Sequence, residues 1–329
     1  MKILIVGGTG FLGWHAVQEF LRRGHGISVL ALPPMPTEGL LPAGTLVHLA
    51  DMCRMRDDEL RILLAGVDGV VFAAGADDRV VPRAPAYPFF HRANVEASVR
   101  LFRLAREAGV QRGVLLGSYF AHFDRIRPEW RLAMHHPYIR SRTEQEEQSL
   151  QAAMPQLELV ILELPYVFGS VPGRVPLWAP LIRYIRASPV LLYPKGGTNM
   201  IAVQRVAEAI VGAIEQGKGG ERYLVGDENL SWIDFLGRLT PLAAGRRRRV
   251  ITIPTCLFRL IMKSVALRHR ASGEESGLNP AAFARLMTAE TFFDASPSRQ
   301  ALGYGPGGLD QALRDTVAAC PQASGATFR

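Results

Sequence analysis

Gly7, Gly8, Gly10 and Gly13 are spaced to cradle a pyrophosphate. They directly follow Ile3, Leu4, Ile5 and Val6, an apolar run short enough for one buried strand. Phe11, Leu12, Val17, Phe20 and Leu21 then recur at helical spacing. Strand, glycine turn and helix in that order present bare backbone and a positive helix end to an anion. Gly13 lets the helix lie close to the strand. With Thr9, Phe11 and Leu12, these glycines form the candidate dinucleotide site. A second pattern pairs a tyrosine with an arginine. Tyr138 and Arg142 are four residues apart on a predicted helix and share one face. Ser118 and Tyr119 follow the apolar run 113–117, and ligands gather at the carboxyl ends of parallel strands. His122, Asp124, His135 and His136 lie between the two patterns as further candidate acids or bases.

These residues need a scaffold. The chain has 329 residues, 48% of them hydrophobic, enough for one large α/β unit or a domain with a smaller lobe. Cys53, Cys256 and Cys320 show neither C-x-x-C spacing nor histidine neighbours, which points to a reduced, cytoplasmic protein without a metal site. The N-terminus does not read as a signal peptide, and no window of 18 apolar residues predicts a membrane span. The net charge is +8, much of it at Arg246, Arg247, Arg248 and Arg249. The apolar segment 256–270 adds Arg259, Lys263, Arg268 and Arg270. Such a segment suits an anionic membrane or nucleic acid. Without interleaved aromatics or a nucleic-acid motif, it is read as a solvated loop followed by a packed helix. No nucleic-acid partner is expected.

Along the chain, strands are predicted at 27–32, 45–49, 69–74, 113–117 and 158–164, separated by helices. Five or six such strands give a doubly wound parallel sheet of the α/β class, covered on both sides. Strand 27–32 ends in Leu32, Pro33 and Pro34, with neither the acid that holds an NAD ribose nor an Arg for an NADP phosphate. Asp51 and Met52 follow the third strand, where a side chain reaches an adenine edge or caps a helix. Ala73, Ala74 and Gly75 end the fourth strand with small residues suited to a close cofactor. Asn94 falls on the inner side of a helix over 89–108, and a buried Asn needs partners. From Tyr166 the pattern changes, with Pro172, Pro176 and Pro180, a helix over 203–215, a short strand at 223–225 and a helix capped by Ser231. Tyr87, Trp130, Tyr166 and Trp178 are candidates to line an apolar pocket. The expected division is 1–165 for dinucleotide binding, 166–322 mainly a substrate-binding lobe, and 323–329 a frayed tail.

On these residues the chain resembles the extended short-chain dehydrogenase/reductases, over nearly its whole length. That group includes sugar-nucleotide epimerases and dehydratases, dihydroflavonol reductases and 3β-hydroxysteroid dehydrogenases. Gly7, Gly10 and Gly13 match its glycine signature, Asp51 its acid after the third strand, and Ala73, Ala74 and Gly75 its small-residue strand end. Asn94 and Val95 open its helix motif. Leu164, Pro165, Tyr166, Val167, Phe168 and Gly169 resemble the segment along the nicotinamide. Phe293, Asp294 and 302–304 resemble its C-terminal signature. The resemblance implies a Rossmann-type sheet with a smaller C-terminal lobe, NAD or NADP as cofactor, a small-molecule substrate and compatibility with a homodimer. It also implies that Tyr138 is an acid/base, assisted by a Lys four residues on and by a hydroxyl after the fifth strand. This chain departs from that set. Arg142 replaces the Lys, Tyr119 falls at the hydroxyl position with Ser118 just before it, Glu163 stands where an Arg is usual, and Gln204 and Arg205 replace an acidic pair. The first expectation is an oxidoreductase interconverting a hydroxyl and a ketone. A sugar-nucleotide epimerase or dehydratase with tightly held NAD stays open, as does a cofactor-binding relative that has lost or changed its redox chemistry.

Overall fold

The computed structural model describes residues 1–35 and 37–321. The expected tail at 323–329 lies outside the described residues. The strands are β1 (Lys2–Val6), β2 (Gly26–Ala31), β3 (Leu46–Leu49), β4 (Gly69–Phe72), β5 (Arg112–Ser118), β6 (Glu158–Leu164), β7 (Tyr166–Phe168), β8 (Val190–Pro194), β9 (Gly197–Ala202), β10 (Arg222–Leu224), β11 (Glu228–Ser231), β12 (Arg249–Ile253) and β13 (Glu290–Thr291). Seven of them form a parallel sheet in the order β10-β6-β5-β4-β1-β2-β3. This is the doubly wound Rossmann-type sheet. The order reverses at β1, so the chain leaves β1 and β4 in opposite directions and opens a crevice at their carboxyl ends.

Both faces of the sheet are covered, which is why its strands read as nearly unbroken apolar runs. Ile3 and Ile5 face Val17 and Phe20 of helix Phe11–Arg22 and Val206 and Ile210 of helix Val203–Gln216. Leu4 and Val6 face Leu60, Leu64, Leu101 and Phe102 on the other side. The alternation follows from the two-residue period of a strand.

Three features differ from expectation. The sheet has seven strands rather than five or six, because β10 pairs with β6 from the C-terminal half. The short strand expected at 223–225 thus joins the main sheet, a pairing that three half-buried residues cannot signal by themselves. The long helix around Asn94 contains a π turn, His91–Glu96, which inserts a residue and buries Asn94 and Val95 together. Helix Thr255–Ala271 forms over the basic apolar segment but contains no buried residue, so it is not the packed helix expected there. Its inner side packs mainly on helix Pro280–Thr288, and Phe258 and Phe283 are half-buried against the same core cluster. A four-stranded sheet of β11, β9, β13 and β7 and the β8–β12 ladder complete the C-terminal part.

Candidate active site and dinucleotide cradle

The glycine loop closes on itself. The Gly7 N–H donates to the Leu30 carbonyl at 2.8 Å, and the Gly10 N–H donates to the Gly7 carbonyl at 2.8 Å. Gly7 sits at φ +91°, a region open to glycine. A Cβ on Gly13 would lie 2.2 Å from the Gly7 oxygen, so the helix approaches the loop only because no side chain intervenes. Helix Phe11–Arg22 starts from Gly10 with no side chain capping its first turn. Its N–H groups therefore remain available to an anion. Arg174, which the sequence pattern did not single out, donates from Nε to the Thr9 carbonyl at 2.9 Å. It brings a cation to the edge of the cradle. Bare backbone, a helix end and an adjacent guanidinium fit a dinucleotide pyrophosphate. Gly13→Val is expected to weaken NAD(H) and NADP(H) binding at least about tenfold and to cost about 1–3 kcal/mol of stability through overpacking. Isothermal titration and thermal melting measure the two effects.

Asp51 accepts from the Cys53 N–H at 3.0 Å and pairs with Arg54 at 3.3 Å, so its turn-capping role is realised. Met52 is buried in the core, and its carbonyl accepts from Arg100 at 2.9 Å. Neither borders the cavity that Ser118 and Tyr138 line.

That cavity has a volume of about 560 Å³ and opens over the carboxyl ends of the sheet. Ser118, Tyr119, Tyr138 and Arg142 all border it, with Ala73, Ala74, Gly75, Pro165, Tyr166 and Val167. The cradle reaches it through Gly10, Phe11 and Leu12. Tyr138 is 8% exposed, its N–H donates to the Gly277 carbonyl at 2.9 Å, and Phe90 packs edge-on against its ring. Burial pushes the phenol up to about 12. Arg142 and Ser118 pull the other way, while Asp78 and Asp77 raise it further. The Arg142 guanidinium carbon lies 5.7 Å from the Tyr138 ring centre, and its Nη2 donates to the Leu116 carbonyl at 2.5 Å. Its buried Nε has no hydrogen-bond partner among the described residues.

The two strand-end hydroxyls take different positions. Ser118 ends β5 and begins helix Tyr119–Ile126, beside Tyr138. Tyr119 places its hydroxyl 2.9 Å from Thr198 Oγ1, which also accepts from Thr291 at 3.0 Å. Tyr119 thus ties the site to the second sheet.

Asn94 joins the cradle side to the proton-transfer side. Its Oδ1 accepts from the Ala76 N–H at 2.8 Å, and its Nδ2 donates to Ser141 Oγ at 3.1 Å. Ser141 in turn donates to the Tyr138 carbonyl at 2.7 Å. A Cβ on Gly75 would meet Asn94 Oδ1 at 2.5 Å, which explains the glycine at that strand end.

The loop after β4 supplies residues whose geometry only folding could give. Asp77, Asp78 and Arg79 border the cavity. Burial raises the Asp78 carboxyl to about 7, against the pull of Arg79 and with Asp77 adding to the rise. Arg79 pairs with Asp77 at 3.3 Å and lies 4.7 Å from the Trp178 ring centre. Tyr166 and Trp178 do line the cavity. Tyr87 instead donates to Glu144 at 2.5 Å, and Trp130 stacks on Phe123. His122, Asp124, His135 and His136 do not border the cavity. Burial, then the His135 charge, lowers His136 to about 4, and its Nδ1 accepts from the Asn279 N–H at 2.9 Å. Asp124 accepts from the Ala133 N–H at 2.9 Å.

A profile of the NAD dependent epimerase/dehydratase family matches residues 3–226. The chain is 25% identical to sterol demethylase protein B of Methylococcus capsulatus, over 97% of this chain and 98% of that protein. It is 27% identical to the 4-hydroxy-2-methyl-3-oxo-4-farnesyl-3,4-dihydroquinoline-1-oxide ketoreductase of Stigmatella aurantiaca, over 69% and 68%. The fold is shared with UDP-glucuronic acid 4-epimerase from Bacillus cereus in complex with NAD, at a TM-score of 0.68 and 15% identity, covering 97% and 98% of the two chains. With the family profile spanning the glycine cradle, Tyr138 and the end of β6, the chain belongs to the NAD dependent epimerase/dehydratase family, whose cofactor is a nicotinamide dinucleotide.

Proposed function

We propose that this protein is an NAD(P)-dependent oxidoreductase that interconverts a hydroxyl and a ketone on a small, largely apolar metabolite. The observation that carries this reading is Tyr138 in the cavity wall with Ser118 beside it and Arg142 one helical turn on. The aromatic rings of Tyr119, Tyr166 and Trp178 favour an apolar substrate. A ketoreductase and a sterol demethylase protein among the relatives support the same direction. Exposed free thiols at Cys53 and Cys256 suit a reducing, cytoplasmic setting.

When bound, the nicotinamide supplies or accepts the hydride. The glycine cradle and Arg174 would hold the pyrophosphate, and Pro165, Tyr166 and Val167 would flank the nicotinamide. Tyr138 is a neutral phenol at neutral pH and donates its proton to a substrate carbonyl oxygen during reduction. Ser118 hydrogen-bonds the same oxygen. Arg142 stabilises the resulting tyrosinate by charge, in place of the lysine usual at this position. In alcohol oxidation Tyr138 must lose its proton first, so activity rises with pH. Arg142→Met is expected to slow oxidation about tenfold all along that rising limb, which lies below the phenol's own value near 12. A pH–rate profile of kcat/KM measures this.

Purified protein incubated with NADH or NADPH and a panel of apolar ketones should consume cofactor in proportion to alcohol formed. Tightly bound NAD in the protein as purified, with no net turnover of added cofactor, would instead indicate an epimerase. Dinucleotide binding without any hydride transfer would overturn the enzymatic reading.

A further inference from the structure

We propose that helix Thr255–Ala271, with the strand that feeds it, docks this protein on the surface of an anionic lipid bilayer. The helix shows two faces. Phe258, Met262 and Val265 turn inward and are half-buried. Leu257, Leu260, Ile261 and Leu267 recur at i, i+3, i+4 and i+10 on the outer side and are all exposed. Leu260 is 65% and Leu267 67% exposed, unusual for leucines on a helix that otherwise packs onto its own protein. The β8–β12 ladder ahead of the helix adds Leu192 opposite Ile251, both exposed, and Val190 opposite Arg249.

Charge selects the occupant. Residues 239–273 contain eight Lys and Arg and no Asp or Glu. They are Arg246, Arg247, Arg248, Arg249, Arg259, Lys263, Arg268 and Arg270, and none makes an ion pair among the described residues. A second copy of this face would bring like charges together. Single-stranded nucleic acid is held by stacked aromatics, and the outer face carries none. Leucine and isoleucine flanked by Arg and Lys match a headgroup layer above acyl chains, with the helix in the interface plane. Among the described residues no helix is long and apolar enough to cross a membrane, so contact is peripheral.

The test is flotation of the full-length protein with phosphatidylcholine vesicles, with and without phosphatidylglycerol. Binding should require phosphatidylglycerol and fall at high salt. Leu260→Glu with Leu267→Glu should weaken binding about a hundredfold, and Arg259→Glu with Lys263→Glu about tenfold. None of these residues borders the cavity, so the thermal shift with dinucleotide should be unchanged and reports that each variant is folded. No binding to either vesicle, or binding independent of phosphatidylglycerol, overturns the proposal. So does a dimer in sedimentation that Leu260→Glu splits, or vesicle binding fully displaced by duplex oligonucleotide.

Discussion

Tyr138→Phe is expected to lower turnover about a hundredfold or more while leaving dinucleotide affinity close to that of the unaltered protein. The variant removes one oxygen. The ring keeps its edge-on contact with Phe90, and the backbone keeps its hydrogen bond to Gly277. The cradle is built from 7–13 and does not use the phenol. A burial-raised phenol near 12 is fully protonated at neutral pH, so the reduction direction loses its proton donor outright. Ser118 remains and can hydrogen-bond the reacting oxygen, which is why some turnover persists. Steady-state kinetics with titration calorimetry separates the two effects. Unchanged turnover would remove Tyr138 as the acid.

Arg125→Met is expected to destabilise the fold by about 3 kcal/mol at alkaline pH, with most of the loss recovered on acidification. Glu146 and Glu163 are each 1% exposed and lie together beneath the site. Arg125 donates to both, at 3.0 Å for Glu146 and in a shorter contact for Glu163, and Arg222 reaches Glu146 at 3.2 Å. Burial raises both carboxyls, Glu146 to about 8, and Arg125 opposes the rise. Without Arg125 both values climb further. The folded state then holds protons that the unfolded chain releases near the ordinary glutamate range. Both proteins lose stability as pH rises from that range, but the unaltered protein's fall levels off above about 8, where Glu146 ionises in the fold, and the variant's continues, so the difference opens above about 8 and closes on acidification. Arg222 still faces Glu146, which keeps the loss at the lower end for a broken buried pair. Denaturant melts across pH measure it, and a pH-independent loss would mean that packing of the Arg125 chain dominates. A Cβ on Gly117 would meet Glu146 Oε1 at 2.8 Å and Ile161 Cγ2 at 3.1 Å, so this cluster packs directly against the glycine next to Ser118.

The dinucleotide cradle was legible in the sequence because its physics is local. Glycine at a positive φ, a strand before and a helix after all lie within a dozen residues. The parallel sheet was legible for the same reason, since runs buried on both faces are apolar throughout. Tyr138 and Arg142 share a face because a helix turns every 3.6 residues, and the fold keeps that relation. The spacing that aligned Tyr119 with the family's hydroxyl could not tell which of two adjacent side chains turns toward Tyr138. The end of β5 and the start of the next helix direct Ser118 there and send the Tyr119 hydroxyl to Thr198.

What the sequence by itself determined is the set of short-range devices: the glycine turn, the apolar strands, the Tyr138–Arg142 face and the acid-free basic stretch at 239–273. What only the tertiary structure decided is which distant groups meet. Arg174 comes to Thr9 across 165 positions, Asn94 links Ala76 to Ser141, and Asp78 borders the same cavity as Tyr138. Helix Thr255–Ala271 keeps an uncovered apolar face, and nothing in its own pattern distinguishes an outer stripe from an inner one. Periodicity records that a face is apolar. Whether protein, solvent or another surface covers that face depends on contacts made by residues far away in the chain.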